Sequence, residues 1–438
     1  MRLLLLALAL PACLDEAPRS GHLAAPAPTP APAPTPTPAP TPASTPTPAA
    51  DPAQTSAREG FVVSEWGTYT SVMGSDGVPL PGLHLEEEGL PPFVHGRCGA
   101  GPVCLAVGDK DLENLPEPVT QKLETPVLFF YSDTPRVARV TVDFPAGIIS
   151  QFFPRAETFA PALGDLGRVA GGSMTWQVQL DPGLPHDTFP WVPEDDIWAP
   201  SRAVPATPLR VDGEHERFIF YRGLGRFTPP IRVTTEGTVA TFHNDSDEAI
   251  PAAFHLTRDS SGRGSWQRIE PLSAGASVSF ETDREGTLDY LEGARLDLLA
   301  ALMDSGLTEP EARSMIETWD HGYFQSTGSR VLYVAPRAWT DELLPIRIEP
   351  APDTLVRTLV GRVELFSDAE EKALMARFDA AWQDETTRYS ALAEVSAELG
   401  RFAAPHLARL ATLARDQGKL ALAGWLTARH EDACVSRF

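Results

Sequence analysis

The sequence predicts a mainly β protein with added helices: a β-sandwich body carrying a helical-hairpin insert, followed by a small C-terminal α-helical bundle. Three observations predict it. Short apolar runs of period two recur from residue 61 onward, turn signals separate them about every ten residues, and the period changes to helical near residue 288 and again after residue 367. With 438 residues the chain is long enough for a large core and a smaller module.

The strand signals come in order. Phe61-Val62-Val63-Ser64-Glu65-Trp66-Gly67-Thr68-Tyr69 opens the body, followed by runs at 127–131, 140–144 and 148–153. Met174, Trp176, Val178 and Leu180 alternate with polar residues as a half-buried strand requires. A run at 218–221 follows, then strands at 238–244, 253–257 and 277–281, separated by Asn244-Asp245-Ser246-Asp247, by 260–264 and by Ser273-Ala274-Gly275. Strands at 331–335, 344–348 and 359–366 close the body, which spans 59–366. His243 and His255 lie on strands and read as solvent-face or hydrogen-bonded residues rather than metal ligands.

The insert, about 287–321, places Leu288, Leu291, Leu298 and Leu302 on one helical face and ends its first helix at Gly306. Thr308 with Glu311 makes a capping box, Pro310 suits a first turn, and Ala312, Met315, Ile316 and Trp319 follow at i, i+3, i+4, i+7. In the module, 367–438, Ser367 with Glu370 caps a helix bearing Leu374, Phe378 and Trp382. A second helix carries Leu392, Val395 and Leu399 up to Gly400. The third, from Pro405, carries Leu407, Leu410 and Ala414, and the fourth, after Gly418, carries Leu422, Trp425 and Leu426. The module reads as a bundle docked on the body or as a surface for an envelope protein partner.

The N-terminus points to export. Met1-Arg2 precedes an apolar run, Leu3 to Leu10, too short to span a bilayer but suited to a signal peptide over 1–12. Leu10-Pro11-Ala12-Cys13 resembles the lipobox of bacterial lipoprotein precursors, with Pro11 departing from the usual residue. That resemblance implies acylation of Cys13 and a membrane partner through the lipid; a secretory signal cut near Ala12 is the alternative. Residues 13–58 form the tether, with proline at every second position from Pro26 to Pro42. Proline fixes φ and removes backbone donors, so the stretch reads as a polyproline II spacer of about 70 Å over Pro26 to Pro48 at roughly 3.1 Å per residue.

A formal charge of −23, carried mainly by the central region, argues against nucleic acid and anionic lipid surfaces as partners. In an oxidising compartment Cys98 and Cys104 can close a short disulfide loop, which leaves Cys434 over.

No P-loop, nucleophile elbow, His-Glu-x-x-His helix or dinucleotide fingerprint occurs. Asp109-Lys110-Asp111-Leu112-Glu113 begins like a calcium loop and does not continue as one. The most suggestive cluster is His84-Leu85-Glu86-Glu87-Glu88 with His95. Two imidazoles and a carboxylate (His84, His95 and Glu86 or Glu87) suit a divalent transition metal, with Glu65 as a further ligand or general base. A strand carboxylate paired with an arginine is the plainer reading of Glu65. Asp320-His321 is an acid–base candidate at a helix end, where histidine is also favoured electrostatically.

Several runs resemble an uncharacterised family of exported bacterial proteins with no assigned activity. They are Ser64-Glu65-Trp66-Gly67-Thr68, Pro91-Pro92-Phe93-Val94-His95, Lys122-Leu123-Glu124-Thr125-Pro126-Val127, Phe220-Tyr221-Arg222-Gly223, Thr318-Trp319 with Tyr323-Phe324, and Val360-Gly361-Arg362-Val363-Glu364. The resemblance implies export and carries no catalytic residues. The leading expectation is a lipid-anchored cell-envelope protein, a non-enzymatic binding or assembly component. The alternative is a metal-dependent envelope hydrolase built on His84, Glu86 or Glu87, and His95.

Overall fold

The opening strand, Val62–Met73, lies beside the last strand of the body, Thr354–Leu365, in parallel and in register over all twelve residues. This structure is a computed structural model that describes residues 60–83, 89–96, 119–161 and 169–435. Cys13, the tether, His84, Glu86, Glu87, Cys98, Cys104 and the stretch from Asp109 to Glu113 lie outside the described residues, as does the side chain of Cys434.

The parallel pair forms the middle of a ten-stranded sheet whose other pairings are antiparallel. On one side follow Gly328–Val334, Ala253–Arg258 and Gly264–Ile269. On the other, Gln121–Leu123 and Val127–Tyr131 share one position, followed by Phe218–Gly225, Gly147–Phe153 and the short edge His95–Gly96. A six-stranded sheet contains Glu214–Glu216, Leu209–Val211, Gly172–Leu180, Arg136–Phe144 and Ile346–Glu349, with Thr158–Ala160 beside Gly172–Leu180. A three-stranded sheet contains Ile231–Glu236, Val239–Asn244 and Ser277–Glu281.

Alternation along the strands of the large sheet sends each residue to one of two cores. Leu128, Phe130, Ile219, Tyr221, Val331, Tyr333 and Leu359 face the two smaller sheets, where Val140, Trp176, Val178, Val233 and Phe242 meet them. Their neighbours Val127, Phe129, Phe218, Phe220, Leu332, Val334 and Val360 face the helical insert. The body is therefore a sandwich with helices laid on its second face. Each fully buried large apolar side chain contributes about 1.5–3 kcal/mol relative to exposure, so the double cover makes the central strands the most stabilised part of the chain.

The insert consists of helices Tyr290–Asp304 and Glu309–Thr318, followed by the turn Asp320–Phe324. Thr308 and Glu311 form the expected capping box, with Pro310 in the first turn. Ala312, Met315, Ile316 and Trp319 are buried in the seam. Leu288 corrects the sequence reading: it precedes the helix and is 71% exposed, while Ala294, Leu298, Ala301 and Leu302 form the buried face. The strand expected at 344–348 is present as Ile346–Glu349, and a helix that the sequence reading does not mark, Arg337–Leu343, precedes it.

Helices Asp368–Ala381, Glu385–Leu399, Ala403–Asp416 and Leu420–Val435 follow. Ser367 accepts from the Glu370 amide and completes its capping box. Val72, Leu80 and Leu83 from the body share a core with Phe378, Val395, Leu407, Leu410 and Leu426. Contacts place these helices with the sheets in one compact unit among the described residues.

Candidate functional site

Glu65, Glu124, Tyr221, Tyr323, Arg362 and Glu364, all within the runs quoted above, converge on the middle of the large sheet, where they belong to one buried network on each face. All twelve residues of Val62–Met73 are buried. Since neighbours point to opposite faces, Glu65 and Tyr69 face the sandwich core while Thr68 and Thr70 face the helices.

On the sandwich face, Glu65 receives the Tyr221 hydroxyl and the Arg357 Nε, each at 2.5 Å. Arg357 also reaches Asp341 at 2.8 Å. Burial, then the adjacent Glu65 charge, pushes the Tyr221 hydroxyl well above its ordinary value. Four residues along the same strand from Glu65, the Tyr69 and Tyr333 hydroxyls bond to each other. Gly361 permits this, because a Cβ there would fall 2.2 Å from the Tyr333 ring. Gly67, in the first quoted run, is likewise required: its Cβ would come within 2.9 Å of the Pro126 backbone.

On the helical face, Glu124 receives the Thr70 hydroxyl at 2.9 Å, the Tyr323 hydroxyl at 2.8 Å and the Arg401 guanidinium from the C-terminal helices. Tyr323 also lies 2.7 Å from Thr68 Oγ1. The Arg362 guanidinium stacks 4.5 Å above the Tyr323 ring and donates to Glu364 at 2.6 Å, while Arg330 pairs with Glu364 at 2.7 Å. Thr125, at φ 72, holds its hydroxyl to the Trp319 indole at 2.7 Å and so fixes the backbone beside Glu124.

Burial alone would raise the Glu124 carboxyl. The charges of Arg401, Lys122 and Arg362, with the Arg401 hydrogen bond, outweigh it and hold that carboxyl well below the usual range. Glu364 is lowered too, burial being overcome by Arg330 and Arg362. Tyr323 is raised well above its ordinary value by burial and by Glu124. Carboxylates held low and hydroxyls held high are fixed charges and fixed donors at neutral pH. General acid–base work needs a group whose pKa lies near the working pH, so these shifted groups suit positioning rather than proton transfer.

Removing one partner of a buried pair leaves the other charge unpaired, a change worth about 3–5 kcal/mol. Glu65→Gln is therefore expected to lower the unfolding free energy by about 3 kcal/mol, the lower end because Asp341 still holds Arg357. Urea denaturation measures it, and a loss under about 1 kcal/mol would contradict the pairing.

The sequence-selected residues separate in space. Glu65 belongs to the sandwich-face network, with its oxygens engaged by Tyr221 and Arg357. His95 lies on the edge strand, with Nε2 2.7 Å from Glu214 and its ring stacked near Phe153. Four strand steps separate the two, roughly 19 Å at about 4.8 Å per step, so Glu65 cannot share a metal with His95. Asp320 accepts from Arg295 at 2.8 Å and from Gln325 at 2.7 Å rather than forming a pair with His321. His243 bonds Thr234 and Ser277, and His255 bonds Ser329 and Gln267. Among the described residues, no three His, Cys, Asp or Glu side chains are grouped for a metal. Sequence reasoning missed Arg357, Arg401, Arg330 and Glu364 as network members. The detectable signal is a pair of opposite charges in or just beyond a strand, as in Lys122-Leu123-Glu124 and Arg362-Val363-Glu364.

The outer face of the helical module gathers a different set. Trp382 and Tyr389 each meet the half-buried Trp425 edge-on, with centroids 6.3 Å and 5.8 Å away. The Arg388 guanidinium lies 4.5 Å from the Trp382 ring and 5.9 Å from Trp425. Arg429 bonds the Tyr389 hydroxyl at 2.9 Å and lies 5.9 Å from Trp425. Tyr389 is 43% exposed. This patch needs no chemistry of its own to bind, since guanidinium-on-aromatic stacking presents rigid, partly desolvated donors.

No family model matches the chain, and no curated protein matches it. Among solved structures it is similar to the yeast delta-COP-I mu-homology domain, at 7% identity and a TM-score of 0.24, covering 70% of this chain and 96% of that one. The same domain complexed with a Dsl1 WxWxV peptide gives 6% identity and a TM-score of 0.23, with the same coverage. So shallow a likeness assigns neither a fold nor a ligand to this chain.

Proposed function

We propose that the chain is a lipid-anchored protein of the bacterial cell envelope, a non-enzymatic binding or assembly component that offers the outer face of its helical module to a protein partner. The arrangement of Trp382, Tyr389 and Trp425 around Arg388 and Arg429 carries this reading. Tryptophan, tyrosine and arginine are the residues enriched where interfaces concentrate their binding energy. The buried networks support it by serving as fixed charges that hold sheet and helices together. The anchor rests on Leu10-Pro11-Ala12-Cys13 and the proline-rich stretch after it. Two or three acyl chains would hold a protein stably at a bilayer, where one is marginal.

A photoreactive residue in place of Tyr389, in the full chain in its native membrane, is expected to cross-link to a protein, and Arg388→Glu is expected to abolish the adduct. Adducts with lipid alone, or an adduct indifferent to Arg388→Glu, would rule the patch out. The anchor has its own assay: Cys13→Ala should abolish palmitate labelling and release the chain from membranes, and unchanged labelling would refute it.

A further inference from the structure

The helix Tyr290–Asp304 has two apolar faces. One packs into the body through Tyr290, Ala294, Leu298, Ala301 and Leu302. At 100° per residue, a second row lies roughly 150° around the helix: Gly293, Leu296, Ala300 and Met303, spaced 3, 4 and 3. That is the 3.5-residue repeat of a helix seam. All four are exposed, Leu296 by 60% and Met303 by 43%. Beside the row runs a groove of about 400 Å³, lined by Leu296, Leu299, Ile316, Arg295, Arg313 and Asp320, among others. A monomer does not need large apolar residues on the solvent side of a helix. Nor does it need Gly293: a Cβ there would meet no described atom within 4 Å, although glycine destabilises a helix interior relative to alanine.

We infer that this face pairs with the same face of a second copy of the chain, helix against helix and antiparallel about a two-fold axis. The row is self-complementary in size. Centred between Leu296 and Ala300, an antiparallel copy sets Gly293 opposite Met303 of the second copy and Leu296 opposite its Ala300. Each large side chain meets a small one, and Gly293 supplies the space for the Met303 thioether. An isologous contact requires such self-matching. The rim of the groove carries both signs, Arg295 and Arg313 with Glu317 and Asp320, so it is balanced in a chain whose formal charge is −23. Glu292, Asp297 and Asp304 flank the seam; in this register Asp297 comes close to its equivalent, and Glu292 of one copy lies level with Asp304 of the other. Pairing must therefore strengthen as salt screens them, whereas a basic helix bound to the same face would be weakened by salt.

Sedimentation velocity on the full chain carrying Cys13→Ala, which removes the proposed acyl site, tests the inference. The expected result is a concentration-dependent monomer–dimer equilibrium that tightens with added salt. Leu296→Asp, at an exposed position that should leave folding intact, is expected to weaken it by on the order of a hundredfold. Gly293→Leu, which fills the space opposite Met303, should do the same while circular dichroism stays unchanged. A monomer throughout the micromolar range, a dimer indifferent to both substitutions, or a dimer loosened by salt would each overturn it. The Tyr389 cross-linking above is independent of this outcome.

Discussion

Replacing Arg401 by alanine is expected to be among the most damaging single substitutions, costing about 3–5 kcal/mol of stability. Arg401 comes from the C-terminal helices and its guanidinium binds Glu124 of the body, a buried carboxylate. Without it, Glu124 keeps Thr70 and Tyr323 as donors but loses its largest favourable charge interaction. The burial penalty then stands against weaker compensation. Arg401→Lys is expected to recover only part of the loss, because an ammonium cannot reproduce the flat stack on the Phe402 ring, 4.8 Å from the guanidinium. Chemical denaturation of the two variants checks both expectations. Equal stability of wild type and Arg401→Ala would remove the network as a structural element.

Stability should fall as pH drops from about 6.5, before the carboxylates respond. Burial pushes His255 and His406 down to about 4 from an ordinary 6.5. His406 gives Nδ1–H to the Phe402 carbonyl at 2.7 Å and packs its ring on Phe366, 4.0 Å away. His255 is disfavoured as a cation by burial and by Arg284 and Arg330. Both are held neutral in the folded chain, while the unfolded chain takes up protons below its own value. Their contribution is therefore fully present above pH 6.5 and is lost as pH falls toward 4, roughly 3 kcal/mol for each at the lower limit. Glu124 and Glu364 add a second loss of the same sign. Their folded values are depressed, so their stabilisation is present above the ordinary glutamate range and disappears as pH falls below about 4.3. Calorimetric melting temperatures between pH 7 and pH 4 test this, and His255→Gln with His406→Gln should flatten the upper part of the slope. A melting temperature constant from pH 7 to pH 4.5 would contradict the burial of neutral imidazoles.

What was legible in the sequence was local. The capping boxes at Thr308/Glu311 and Ser367/Glu370 reappear where the residue spacing placed them, and Met174, Trp176, Val178 and Leu180 all face the core. The pairing of the first and last body strands was not legible, because Glu65 and Arg357 lie 292 positions apart and no short-range pattern links them. Ser64, Thr68 and Thr70 are polar and share a face of the opening strand with Trp66. Helices cover that face, and all three side chains are buried. Glu65 stands out in the sequence as an acidic residue beside Trp66, and pairing with an arginine is its plainer reading. Which arginine required the fold. The helical-face network stayed hidden for the same reason, its Glu124 and Arg401 being separated by 277 positions. Leu288 was assigned to the buried face by spacing alone, yet the helix begins after it, at Tyr290.

These networks tie three layers into one unit and hold the Trp382–Tyr389–Trp425 face in a fixed place on the sheet. Differential scanning calorimetry of the full chain carrying Cys13→Ala tests that claim most directly. A single transition in which calorimetric and van't Hoff enthalpies agree is the predicted result. Two resolved transitions, with Arg401→Ala leaving both midpoints unchanged, would show that the helical module folds apart from the body and would contradict the account.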